Sequence, residues 1–206
     1  TTHLATVKPL IQFLRKSTES HGAITNHLAV AAAALAHWQK MVGEDISKEC
    51  DHLVDRITGN YSEEGWFTEY GGADPGYQTL ALDYLVDLHR IAPHYELMDK
   101  LVRVIDFLCY AAHPDGSFGG TYGSRNTRFI YPAGIEALAG ATSNSIALAR
   151  FTRRACAEQM VVSLEAMDSP NLIPMFNSMC RAATFAKELP LESTLLPHAR
   201  EDFQRQ

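Results

Sequence analysis

The chain has 206 residues, 46% of them hydrophobic and 20% charged, with a formal net charge of −6. That length suits one domain, or a large piece of one, with enough chain to bury a core, and the apolar fraction excludes a disordered tail or a collagen-like chain. The acidic balance argues against non-specific nucleic-acid binding, which needs a basic surface, and no run reaches the roughly 18 apolar residues of a membrane span.

Helical periodicity runs through the sequence and no convincing period-2 strand appears. Val7, Leu10, Ile11 and Leu14 give the first apolar face. Residues 24–42 form a second, Ala-rich helix, and 46–57 a third with Cys50, Leu53, Val54 and Ile57 on one side. Helices are expected next at 77–91 and 97–112, then at 132–139 and, as one long segment, at 145–167. Segments 172–187 and 192–203 complete a set of nine. Asp74-Pro75-Gly76 offers an Asp N-cap with Pro at the first helical position, Tyr131-Pro132 and Ser169-Pro170 place proline similarly, and Thr25-Asn26 can cap the Ala-rich helix. The connections alternate between longer and shorter. If successive helices are antiparallel, the longer loops all fall at one end. The helices after them start near Asn26, Tyr77, Pro132 and Asn171, about 40 to 55 residues apart. This is the spacing of repeated helical hairpins, and the apolar helices would form an inner ring inside more charged ones. The expected architecture is an all-α, partial α/α toroid of about four hairpins, residues 1–206 forming a single domain, with an α-solenoid as the rival.

Nine of the 13 glycines lie in two windows, 59–77 and 113–131, which also hold nine of the 19 aromatics. Glycine and aromatics concentrated in two loops suggest a built surface. Cys50, Cys109, Cys156 and Cys180 are scattered without a C-x-x-C or zinc spacing, so they read as buried thiols in a reducing compartment, the cytoplasm for the chain as given. The chain opens at Thr1 without Met, which leaves room for a removed leader or upstream domain.

Asp115-Gly116-Ser117-Phe118-Gly119-Gly120 resembles the Asp-Gly-x-Phe/Trp-Gly-Gly turn of the terpenoid cyclase and protein prenyltransferase toroids. The stretch from Trp66-Phe67-Thr68-Glu69-Tyr70 through Gly71-Gly72-Ala73-Asp74-Pro75-Gly76-Tyr77 resembles a loop of uncharacterised bacterial toroid proteins associated with polysaccharide metabolism. Asn26-His27 is similar to the Asn-His of toroid domains in heparinase-type polysaccharide lyases. The resemblance covers roughly residues 20 to 135. It departs from the cyclases in lacking D-x-D-D and from the prenyltransferases in lacking a placeable zinc set. It departs from the lyases in lacking a β-sheet domain. Four inner helices are also fewer than the six or so of a complete ring, so a partial toroid or a piece of a longer protein is expected.

In such toroids the site lies where inner helices begin, and four helix N-termini would aim free N–H groups into one basin suited to an acidic ligand. His27, Tyr77, Tyr122 and Arg125 are the candidate catalytic residues, and Asn26, Trp66, Tyr70, Asn126 and Tyr131 the candidates for binding substrate. Asn26 or Asn126 with Arg125 would neutralise a uronic carboxylate, His27 or a Tyr would take the neighbouring proton, and a second Tyr would donate to the leaving oxygen. The expected ligand is an acidic polysaccharide or oligosaccharide, with no cofactor, metal, nucleic acid or membrane, and nothing sets the oligomeric state. A glycoside hydrolase using Glu69, Asp74 or Asp115, with Glu63 and Glu64 in reserve, is the first alternative. A non-catalytic sugar-binding toroid stacking on Trp66, Phe67 and Tyr70 is the second, and a terpenoid or prenyl site the third. Asp74 reads most simply as an N-cap and His113 as a residue at a helix carbonyl end.

Overall fold

The computed structural model describes residues 2–17, 19–120, 122–191 and 194–200. Among the described residues the helical periodicity becomes eight α-helices, with only isolated β-bridges and no strand. They are α1 (Thr2–Lys16), α2 (Thr25–Val42), α3 (Ser47–Gly59), α4 (Pro75–Ile91), α5 (Met98–Leu108), α6 (Pro132–Ala137), α7 (Ser143–Ala157) and α8 (Ser169–Phe185).

Three expected boundaries are corrected. The segment over 97–112 leaves α-geometry after Leu108 and continues as a 3-10 turn, Cys109–Ala111. The long helix over 145–167 ends at Ala157, because Gln159 turns left-handed at φ 55. Met160 N–H then donates to Ala155 O and Gln159 N–H to Cys156 O, the paired bonds of a Schellman stop. Of the helix expected over 192–203, residues 192, 193 and 201–203 lie outside the described residues, and the described part holds one 3-10 turn, Pro197–Ala199. Cys50 and Cys109 are buried and Cys156 is half-buried, but Cys180 is exposed, contrary to its reading as a buried thiol.

The helices stagger into two rows. α2, α4, α6 and α8 pack consecutively, and α3, α5 and α7 lie against α2, α4 and α6 respectively. α4 is buried without interruption from Pro75 to Asp83, as a helix covered on several sides should be. The alanines of α2 (Ala29, Ala32, Ala33, Ala36) share one core with Leu82, Leu85 and Val86 of α4. Gly134 shows how close the row is. A Cβ there would stand 2.8 Å from the backbone of Leu82 and Asp83, so α6 meets α4 through the missing side chain. α1 closes one end through Ile11 against Leu35, Trp38, Ile46 and Cys50. Arg15 fixes it there, pairing with Glu44 at 2.5 Å and Glu49 at 2.7 Å.

Charged residues join the row as well. Arg181 of α8 pairs with Asp83 at 2.9 Å and Asp87 at 3.1 Å, both on α4, and Asp87 also meets His37 of α2 at 2.7 Å. Burial pushes the Asp83 carboxyl up to about 6, against the opposing pull of Arg181.

Candidate functional site

The starts of α2, α4, α6 and α8 lie at one end of the row, joined by side chains that cross between them. Glu69, in the loop before α4, accepts from Asn26 N–H and Asn26 Nδ2, each at 2.8 Å. Asp74 caps α4 by accepting from Tyr77 N–H at 3.1 Å, and also accepts from the backbone and hydroxyl of Ser124. Tyr131, ahead of α6, donates its N–H to Thr79 of α4 at 2.9 Å and its hydroxyl to Asn171 of α8 at 3.2 Å.

These bonds correct the expectation of free helix N–H groups. Asn26 N–H is taken by Glu69, Gly76 N–H by Ser124 Oγ at 3.0 Å, and Ala133 N–H by Ser178 Oγ of α8 at 3.1 Å. Neighbouring side chains satisfy the donors that a helix start leaves open, so these N–H groups are not offered to a ligand. The Thr25 cap is corrected too. Its hydroxyl donates to Thr68 O at 2.8 Å, and the carboxyl group that caps α2 comes from Glu69, 43 residues away.

Between the starts of α4 and α6 an open cleft of about 420 Å³ is lined by Tyr70, Asp74, Tyr77, Tyr122, Arg125 and Asn126, with Gly123 and Ser124. Ser124, Arg125 and Asn126 are three successive left-handed residues, at φ 52, 55 and 60. Such a run costs roughly 1–2 kcal/mol per non-glycine residue and persists only where anchored. The anchor is Asp74, and Gly76 makes room for it, since a Cβ on Gly76 would collide with Ser124. The resulting bulge exposes Arg125 and Asn126 beside Tyr77. No carboxylate pairs with Arg125 at ion-pair distance among the described residues.

Tyr70 is 57% exposed, with its ring centre 6.0 Å from that of Tyr77. Burial raises the Tyr77 hydroxyl above the ordinary tyrosine value while Arg125 pulls it down. Tyr122, 54% exposed, is raised by burial as well.

The cleft therefore gathers Tyr70, Tyr77, Tyr122, Arg125 and Asn126. It does not gather Asn26, whose side chain is buried on Glu69, or Tyr131, which is fully buried against Phe129. His27 faces another loop, bonded to Glu19 at 2.6 Å, and that bond holds the Glu19 carboxyl down to about 2. Trp66 is half-buried and donates to Glu64 at 3.3 Å, outside the cleft. Among the carboxylates weighed for hydrolysis only Asp74 reaches the cleft. Glu69 is buried, which pushes it up to about 8 despite its two bonds from Asn26, and Asp115 accepts from Ser117.

Two residues beside the cleft have partners that no local sequence pattern signals. Ser124 carried no motif signal, because its role depends on Asp74, fifty residues earlier. His113 was placed at a helix carbonyl end, but its ring instead lies between Ser117 Oγ and the Tyr122 hydroxyl, 2.9 Å from each.

No family model, curated protein or solved structure matches the chain at a significant level. No helix is long and apolar enough to cross a membrane, and no metal-binding group of His, Cys, Asp and Glu occurs among the described residues.

Proposed function

We propose that this is a carbohydrate-active protein built as a partial α/α toroid, whose cleft removes a proton beside the carboxylate of an acidic polysaccharide, as a lyase or uronyl epimerase does. One observation carries the reading. Arg125, without a carboxylate partner among the described residues, is held in a strained backbone at the rim of a cleft walled by Tyr70, Tyr77 and Tyr122. A uronic carboxylate suits that position. Arg125 and Asn126 would bind it and lower the pKa of the adjacent C–H, one tyrosine would take the proton, and another would donate to the departing oxygen. The two rows of helices, with four starts at one end, support the toroid.

Hydrolysis needs two carboxyl groups about 5 to 10 Å apart across the sugar. Asp74 alone lines the cleft, and its oxygens are committed to Tyr77 and Ser124. Sugar binding without turnover is the second reading, favoured by the exposed Tyr70 ring beside Tyr77, a surface on which a sugar can stack.

The test is a panel of uronate polymers. Elimination yields an unsaturated, ultraviolet-absorbing product, and epimerisation in deuterated water incorporates deuterium beside the carboxylate. Either signal is expected from the wild type and should vanish in Arg125→Ala. Binding with neither signal would favour the second reading, and new reducing ends without absorbance would favour hydrolysis.

A further inference from the structure

We propose that His113 serves Tyr122 as its proton acceptor, in a relay running from Asp115 through Ser117 and His113 to the tyrosine hydroxyl at the cleft. This inference rests on the lyase or epimerase reading and names the base within it.

The direction of the relay follows from its fixed end. Asp115 Oδ1 accepts from Ser117 N–H at 2.8 Å and from Ser117 Oγ at 2.7 Å. A carboxylate only accepts, so the single hydroxyl proton of Ser117 points toward Asp115. Ser117 Oγ therefore meets His113 Nδ1 with a lone pair, and Nδ1 must carry the imidazole proton at their 2.9 Å contact. That leaves Nε2 bare. It faces the Tyr122 hydroxyl at 2.9 Å, so the tyrosine donates to it and turns its oxygen lone pairs elsewhere. The hydrogen-bond network sets the tautomer.

The turn makes the arrangement stiff. His113 N–H donates to Ser117 O at 2.9 Å and Gly116 N–H to His113 O at 3.1 Å, closing residues 113–117 on themselves. Gly116 takes φ +87 there, and Phe118 is buried just beyond. The imidazole and phenol also meet edge to face, with ring centres 5.8 Å apart. Ser117 and Asp115 are the groups facing the far side of the ring. Arg128 adds its positive field at Asp115, and the Ser117 bonds hold that carboxyl below its ordinary value.

The proton transfer balances. The C–H bond beside the substrate carboxylate breaks and its electron pair stays on the substrate as an enolate beside Arg125. The proton bonds to the Tyr122 oxygen as the tyrosine's own proton passes to His113 Nε2. The enolate's negative charge is matched by one imidazolium, and no free phenolate forms. Burial opposes a free phenolate at Tyr122, which is why an acceptor behind the hydroxyl matters.

The variants are His113→Gln, Tyr122→Phe and the two together, assayed on the uronate polymer that the wild type consumes. Each single change is expected to lower kcat by about 10²–10³-fold with KM within about twofold, since general-base catalysis contributes on that scale. The double variant should lose no more than either single, because the two residues act as a unit. His113→Gln retaining kcat within about twofold, or losses that multiply in the double variant, would overturn the relay. So would a rise in KM accompanied by a lower melting temperature, the signature of a purely structural histidine.

A second measurement needs no substrate. Nitrogen chemical shifts of the His113 ring should show a protonated Nδ1 and a bare Nε2, and the reverse tautomer overturns the relay. A wild type that neither forms unsaturated product nor exchanges the substrate proton overturns the lyase or epimerase reading, and the base role with it, whatever the tautomer.

Discussion

The two glycine-rich loops share a composition and behave differently. Residues 60–74 are fastened along their length. Thr68 N–H donates to Asn60 O at 2.9 Å, Ser62 N–H to Trp66 O at 2.7 Å and Tyr70 N–H to Ala23 O at 3.2 Å. Gln78 of α4 brackets Phe67, donating to its carbonyl and accepting from its N–H. Residues 112–120 are fastened similarly, but the bulge over 124–126 is tied to the rest mainly through Asp74. The first loop spends most of its polar groups on architecture and lends the cleft Tyr70 and Asp74, whereas the second adds Tyr122, Arg125 and Asn126. Glycine content marks where the chain bends and not which bend opens onto the cleft.

The comparison is most exposed to Asp74→Ala. Tyr77 N–H, Ser124 N–H and Ser124 Oγ would lose one buried acceptor together, and α4 would lose its cap. A cost of about 3–4 kcal/mol in urea unfolding is expected, from a lost cap plus bonds to a charged acceptor. On the proposed function, turnover of a uronate polymer should disappear as the bulge relaxes. A cost below about 1 kcal/mol would mean that the bulge is held by something else.

Glu69 tests the fastened loop by pH. Its carboxyl is raised from 4.5 to about 8, chiefly by burial. The folded protein therefore keeps a proton that the unfolded chain releases, so the contribution is complete below pH 4.5 and is lost as pH rises through 8. Stability should fall by about 3–4 kcal/mol between pH 5 and 9, and Glu69→Gln should flatten most of that slope. Asp83, raised to about 6, has the same sign and leaves a residual slope at the acid end. A wild-type curve flat to pH 9 would show Glu69 ionised and held by Asn26 instead.

How much was legible depends on the range of each interaction. The Asp74 cap could be read because the Asp-Pro-Gly signal and its Tyr77 partner lie within four residues. The Ala-rich α2 was legible from its own composition. The end of α7 was not, since its left-handed stop falls on Gln159, where no glycine marks it. At the site, Tyr70, Tyr77, Tyr122, Arg125 and Asn126 were placed together because they flank two helix starts. Asn26, His27 and Tyr131 occupy similar chain positions, but tertiary partners turn them aside to Glu69, Glu19 and Asn171. Those partners lie 8 to 43 residues away and belong to no local pattern.

Arg125→Gly separates strain from function. Glycine accepts φ 55 without a Cβ penalty but gains freedom in the unfolded chain, so stability should change by less than about 1 kcal/mol, with a gain favoured. The turnover expected on the proposed function should nevertheless be lost along with the guanidinium. Normal activity in this variant would remove the observation on which the proposed function stands.

Trp66→Ala carries the smallest expected effect. The ring is half-buried in the fastened loop, its indole N–H reaches only Glu64, and it takes no part in lining the cleft. Losing it should cost under about 1 kcal/mol, at the lower end for a partly exposed aromatic, and leave turnover unchanged. The matching change at Tyr70, in the same loop but on the cleft wall, should weaken saccharide binding, because an exposed ring there is available for stacking. If Trp66→Ala weakened binding and Tyr70→Ala did not, the ligand would lie along the outside of the first loop. The division of labour between the two loops would then be reversed.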